Sequence, residues 1–422
     1  MFDQLRIVDE LLKSRRVKRA EMLINRQIRR KKGQDAIWLI QRARSRLLTG
    51  RPAAALDDML RAQTLQPELL DHVINLQILA DCYFARFESS TVGFVERNDA
   101  LIAERLYQQI ITAFPEYNNV GWAYYQLGCL FLTGDRVDEA TTAFQTALQK
   151  PAQTTPSLTA YSHERLAFIY FYEHRQISQA LKSIRDAINA YPHFEDKSWL
   201  VQAYLLQSRI LRSMGDIDAA LEASQKAVRL AKKADTSQQL LAEALFTFGE
   251  LLSVAGGQET ASIQTLERFL EVSRRPIGID VTWARVHEIL GDLYFKLSNF
   301  EASVAAYNLV LQFNPHYPWE DAIYHRIARA YYQLGSYDKV IEALKRAFEM
   351  AANDGREVDY QLYTLYGAAC LAAKQYDAAV DAYEKALHQT SAYAEISDQL
   401  RQYRDFALTH RSASPGSVPE IS

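Results

Sequence analysis

The chain of 422 residues has little of what staples a small fold or holds a metal. Its three cysteines, Cys82, Cys129 and Cys370, are far apart and odd in number. No disulfide framework and no CxxC pair follows from them, and a reducing compartment fits. No apolar run approaches the ~18 residues a membrane helix needs. The opening MFDQLRIVDELL mixes acids with its apolar residues instead of setting a basic segment before an unbroken apolar one, so it does not read as a secretory signal. Cytoplasmic residence is the expectation. Neither GxxxxGK[ST] nor a GxGxxG after a strand occurs, and no strand pattern offers a place for one; Gly256 and Gly257 read as a turn between helices.

What is present is the balance of an ordered, water-soluble fold, with 48% apolar and 23% charged residues. Length alone allows two or three compact domains unless the chain is an array. It reads as an array. Tyr124, Leu127, Gly128 and Phe131 share one helix face, because spacings of three and four return to the same side of a 3.6-residue turn. Gly134 and Asp135 end that helix, and Ala140, Phe144 and Ala147 give a second stripe before Pro151. The same order runs from His287 through Leu290, Gly291, Tyr294, Ser303, Tyr307 and Val310 to Pro315. It recurs in Tyr366, Gly367, Cys370, Ala379, Tyr383 and Ala386, with residues 374–377 as the turn, and in Ile327, Ala328, Tyr331, Gly335, Leu344 and Ala347. Tyr204, Ser208, Leu211, Gly215, Ala220 and Ala227 make a fifth copy. Weaker copies fill the rest: one ends at Pro67, one at Pro115 after a long insertion, one at Pro192 with an extra residue in its turn, and one follows Gly249. Ile7, Val8, Leu11, Ala20 and Ile24 give a degenerate first unit, for about ten units up to Tyr393. Small residues stand where two helix backbones approach, and Leu and aromatic side chains fill the space between neighbours. One pair alone cannot bury its apolar face, so the pairs must stack.

This order of large, Leu-Gly, aromatic, small, aromatic, small and Pro positions resembles the tetratricopeptide repeat family. The resemblance implies an all-α fold, an α-solenoid coiled as a right-handed superhelix. Unit starts about 35 to 42 residues apart place it among the looser members of the family. The expected organisation is a degenerate basic pair of repeats over 1–70, an array over 71–393 with an insertion near 86–100, a capping helix over 394–410, and a disordered polar tail over 411–422. Two near-misses to the HExxH zinc motif, at His163-Glu164 and His287-Glu288, lack the second His and sit at equal offsets in their repeats, so the repeat accounts for them. Most of the 24 Tyr and 18 Phe occupy repeat-core spacings and read as packing. No catalytic site, metal or cofactor is expected.

In the family the first helix of each pair lines a concave groove. Carried over by position, the partner-binding residues are Trp122, Tyr125, Arg165, Phe168, Phe171, Tyr172, Arg209, Arg212, Phe246, Arg326, Arg329 and Tyr332. Arg165, Arg209 and Arg212 are expected either to receive one carboxylate or to pair with acids such as Glu164. The chaperone-tail clamp of some members, with its Lys and Asn pattern, is not reproduced. Residues 13–51 hold fourteen Lys and Arg against Glu21 and Asp35, so this stretch is +12 and the remainder, given a net charge of -3, is -15. Its basic surface, with Arg26, Arg29 and Arg30, reads as a solvated face, as the site of an acidic partner or second copy, or, less readily without a base-reading motif, as a nucleic-acid contact. The functional expectation is a non-catalytic protein-interaction scaffold or adaptor that binds a peptide or helix in its groove. The alternatives are a regulatory module that senses a peptide or controls an enzyme or transcription factor, and a nucleic-acid-associated protein.

Overall fold

The computed structural model describes residues 2–89, 94–150, 155–191, 197–233, 236–317, 320–390 and 394–411, with the backbone only for 2, 94–97 and 394. Pro151, Pro192, Gly93, Tyr393 and the tail from 412 lie outside them. Among the described residues there are 21 α-helices, one 3-10 turn (Pro67–Asp71) and no strand. The chain divides into two units, 1–215 and 216–422. The first holds α1 (Phe2–Lys13), α2 (Val17–Arg30), α3 (Ala36–Leu48), α4 (Pro52–Leu65), α5 (Val73–Ser89), α6 (Phe94–Ala113), α7 (Val120–Thr133), α8 (Val137–Gln149), α9 (Pro156–Tyr172), α10 (Ile177–Ala190) and α11 (Ser198–Ser213). The second holds α12 (Ile217–Lys233), α13 (Gln238–Ala255), α14 (Glu259–Val272), α15 (Val281–Lys296), α16 (Phe300–Phe313), α17 (Glu320–Gln333), α18 (Tyr337–Asn353), α19 (Tyr360–Ala372), α20 (Tyr376–Thr390) and α21 (Ala394–Arg411).

Within each unit every helix packs on the next, and the odd-numbered helices also touch one another, as in α7 with α9, α9 with α11, and α13 with α15. That is an α-solenoid. The Leu-Gly position explains the tightness of a pair. A Cβ at Gly128 would stand 2.7 Å from Phe144 Cε1, one at Gly291 2.5 Å from Tyr307 Cε1, and one at Gly367 2.9 Å from Tyr383 Cε1. Only a missing side chain lets the ring of the second helix lie on the backbone of the first. The small residue that opens the second helix adds a bond where it is serine: Ser303 Oγ donates to the Gly291 carbonyl at 2.8 Å, and Ser262 Oγ to that of Gly249 at 2.7 Å.

The turn inside a pair needs a residue in the left-handed region, followed by an N–H that reaches back five residues. Gly335 supplies the first at φ 67°, and the Ser336 N–H bonds the Tyr331 carbonyl at 3.0 Å. In five other pairs a residue with a side chain takes the position: Arg15 at 54°, Asp135 at 60°, Arg175 at 56°, Ser298 at 58° and Lys374 at 60°. One expectation shifts: Tyr376 and Asp377 belong to α20 rather than to the turn.

The insertion near 86–100 does not form a long loop among the described residues. It lengthens two helices, α5 to 17 residues and α6 to 20. Arg86 holds them together, its Nε and Nη2 each donating to Asp99 at 2.5 Å. Asp99 is buried, and the two-pronged guanidinium replaces the water it loses. At the other end α21 packs on α20. Leu400 and Ala407 are buried, Ser397 Oγ donates to the Thr390 carbonyl at 2.7 Å, and the Tyr403 ring stacks on Tyr383 at 5.8 Å. The outer side of α21 is not wholly polar, since Tyr403 and Phe406 stand half exposed.

Candidate functional site

In the first unit, three successive odd helices bring aromatic rings into one row. Trp122 and Tyr125, three apart on α7, meet edge to face at 5.5 Å. Tyr161 on α9 lies 6.0 Å from Trp122 and 6.2 Å from Tyr125. Trp199 on α11 stands 5.4 Å from Tyr161 and stacks on Tyr191 at 4.8 Å. Trp122, Tyr125, Tyr161 and Trp199 are half-buried, so part of each side chain reaches solvent while the rest packs inward. Farther along α9, Phe168 and Phe171 each lie 4.7 Å from Tyr172, which is exposed.

Arg165 sits beside this row. Its Nε lies 3.5 Å from Glu164 Oε2, and its guanidinium also neighbours Tyr125 and Cys129. Burial pushes the Glu164 carboxyl up, and the Arg165 charge offsets part of that rise. Burial likewise pushes the Cys129 thiol up to about 11, against the pull of Arg165. Several polar side-chain atoms here lack a hydrogen-bond partner although buried: Gln126 Oε1 on α7, Ser162 Oγ, His163 Nδ1 and Arg165 Nε on α9, and Trp199 Nε1 on α11. Only Ser45 Oγ and Ser273 Oγ share this state elsewhere among the described residues. Buried polar atoms without a hydrogen bond are costly, and these three adjoining helices hold most of those found among the described residues. Arg209 and Arg212 stand exposed on α11 with contacts of their own.

In the second unit the acids and arginines of the odd helices form a closed network. Arg285 on α15 donates to Glu288 at 2.8 Å and reaches Glu250 on α13 at 3.4 Å. Arg326 on α17 donates to Glu288 at 2.8 Å and to Asp292 at 3.2 Å. Tyr317 and Tyr307 give their hydroxyls to Glu288 and Asp292, both at 2.6 Å. Burial would raise the Glu288 carboxyl, yet the bonds from Tyr317 and Arg285 and the Arg326 charge hold it below its ordinary value. A cavity of about 430 Å³ opens beside the network, lined by Arg285, Asp292, Phe295, Lys296, Tyr307, Arg326 and Arg329, with the Arg329 guanidinium 5.0 Å from the Phe295 ring centre. Arg326 is thus committed to internal acids. Phe246 packs on Phe269 at 5.9 Å, and Tyr332 meets Tyr337 at 5.6 Å.

Sequence reasoning passed over Arg285, Tyr317, Tyr191 and Trp199. Arg285, three residues before Glu288 on one helix, carried the only local signal. It also passed over a cavity of about 1070 Å³ between α18, α19 and α20, lined by Phe348, Tyr363, Tyr366, Lys385 and His388. The two histidines of the zinc near-misses have packing surroundings. His287 stacks on Phe313 at 5.6 Å, and burial with the Arg275 charge pushes it down to about 4. His163 is half-buried and likewise lowered by burial. Among the described residues no group of three or more His, Cys, Asp or Glu is placed to hold a metal ion, and no helix is long and apolar enough to cross a membrane.

Stacked helix pairs closed by a small residue against a ring, with faces left open on the odd helices, define an α-solenoid repeat protein. The sequence model of the tetratricopeptide repeat matches residues 201–233, 284–317 and 322–354. Over those residues the chain carries tetratricopeptide repeats, and repeats of this kind support protein–protein interaction. A stretch of 104 residues is 29% identical to the Hsp70-Hsp90 organising protein of Plasmodium falciparum (isolate 3D7), which covers 24% of this chain and 18% of that protein. The fold is similar to a tetratricopeptide repeat protein from Parabacteroides merdae, at 17% identity and TM-score 0.39, covering 71% of this chain and 98% of that one. It is also similar to the apo form of the quorum sensor NprR from B. thuringiensis, at 14% identity and TM-score 0.49, covering 74% of this chain and 86% of that one.

Proposed function

We propose that the chain is a non-catalytic scaffold that holds another protein by an extended peptide or a helix laid across α7, α9 and α11. The observation that carries this reading is the row of half-buried rings, Trp122, Tyr125, Tyr161 and Trp199, across three adjoining helices. Rings of this kind supply anchor area at low entropic cost. Arg165, partly exposed beside them, adds a donor for a carbonyl or carboxylate, with Phe168, Phe171 and Tyr172 continuing the surface. The likeness of one stretch to a protein named for organising Hsp70 and Hsp90 supports a role in joining proteins. The network around Glu288 leaves Arg326 to a stabilising task, so the first unit is the better seat for the partner.

The test is a phage-displayed library of random 12-residue peptides panned on the full chain, with enriched peptides titrated against Trp122→Ala and Tyr161→Ala. An anchor ring is worth at least ~2 kcal/mol, about a thirtyfold loss of affinity. Melting curves of both variants separate lost binding from lost fold. Enriched peptides that bind both folded variants as tightly as the parent chain would overturn the assignment.

A further inference from the structure

The fourteen basic residues of 13–51 divide sharply in the folded chain. Lys13 and Arg44 pair with Asp9, Arg42 and Arg46 with the buried Asp58, and Arg51 with Glu21. The other nine, all those from Arg15 to Lys32, are exposed, and among the described residues none of them has an ion pair. They lie on and beside α2, as one group before residue 20 and another after residue 25, and six of them are arginines. From Lys18 to Arg30 the helix rises ~18 Å. Arg61 on α4 extends the second group: its Nη2 lies 3.4 Å from where a Cβ at Gly33 would stand.

We propose that this edge binds the phosphate backbone of duplex nucleic acid without reading its sequence. The chemistry of the face selects that partner among polyanions. A protein partner draws its affinity from buried apolar and aromatic anchors, and Met22 is the one large apolar side chain that α2 exposes. A peripheral membrane helix buries its apolar side in the lipid. The apolar side of α2 is already spent: Ala20 and Ile24 are buried against Val8, Leu11, Leu12 and Trp38. Charge alone remains, and charge alone suffices for a duplex that presents one phosphate per ~1.7 Å of axis. Arginine forks match phosphate oxygens two at a time. The site is separate from the ring-lined face and does not depend on it.

The test is fluorescence anisotropy of a labelled mixed-sequence DNA duplex of about 20 base pairs with the full chain, between ~50 and ~200 mM salt. The parent chain is expected to bind, with affinity falling steeply as salt rises. The R26E/R29E/R30E variant is expected to lose at least tenfold in affinity and to show a salt slope shallower by about 3, near one for each phosphate that is no longer neutralised. A second variant, R15Q/K18Q/R19Q, removes the other group and is expected to weaken binding in the same way, while R268E on α14 serves as the control for a charge reversal away from this edge and is expected to leave binding near that of the parent. Circular dichroism melts establish that each variant is folded. No binding at ~50 mM salt, full binding by the folded triple reversal, or tighter binding to polyglutamate or to phosphatidylserine vesicles than to the duplex overturns the proposal.

Discussion

The Tyr107 hydroxyl donates to Asp81 Oδ1 at 2.6 Å, and Tyr307 repeats the contact with Asp292 at the same distance in the second unit. Asp81 follows Leu79-Ala80 and Asp292 follows Leu290-Gly291, so the pair is a property of one repeat position. The residue after the small one faces the tip of the ring that the small one admits.

Asp81 should make stability depend on pH. Burial pushes its carboxyl up to about 6, against the bond from Tyr107, from an ordinary 3.8. A raised carboxyl favours the protonated folded state, so its contribution is complete below ~3.8 and fades as pH climbs through about 6. At 1.36 kcal/mol per unit the rise from 3.8 to about 6 amounts to about 3 kcal/mol over the window. Urea unfolding at intervals across that range should show the parent chain losing relative to Asp81→Asn as pH rises. Parallel curves would exclude the effect.

The contact between Gly291 and Tyr307 should reverse sign with its partner. Gly291→Ala drives a methyl into the ring, at a cost of ~1–3 kcal/mol, against the ~1 kcal/mol that alanine returns in a helix. In a Tyr307→Ala background the clash is gone and only the gain remains. A double-mutant cycle read by urea unfolding should therefore give a net loss in the first case and a small gain in the second.

Lys374 holds a left-handed backbone that a side chain opposes by ~1–2 kcal/mol. Lys374→Gly should raise stability by ~0.5–1 kcal/mol, while Gly335→Ala at the equivalent turn should lower it by about as much. Thermal melts of the two variants should move in opposite directions. Equal shifts would deny the backbone cause.

The groove arginines separate binding from folding. Arg209→Ala and Arg212→Ala should each weaken a captured acidic peptide by ~1.5–3 kcal/mol if they meet its carboxylate. Melting temperatures should hardly change, since both side chains stand exposed on α11. Unaltered affinity with lowered melting temperatures would assign both to internal pairing, as Arg326 is paired in the second unit.

The repeat itself was legible in the sequence because its contacts are local. The intervals 128 to 144, 291 to 307 and 367 to 383 all span sixteen residues, so a glycine and a ring at that spacing report a helix pair before any coordinates exist. Helix faces, the small positions and the order of elements follow from the same periodicity. Only the tertiary structure decided what the charges do. Arg42 and Arg46 neutralise Asp58 while Arg26, Arg29 and Arg30 neutralise nothing among the described residues, although all five belong to one basic stretch. Arg326 meets Glu288 and Asp292 from the next helix pair, and Trp199 joins the row of Trp122 and Tyr161 from beyond a chain turn. The insertion near 86–100 was visible as extra length, but its conversion into longer helices rests on Arg86 finding Asp99. Such pairings depend on how one helix rotates and slides against another, and that geometry is set by the summed packing of whole faces rather than by any local pattern.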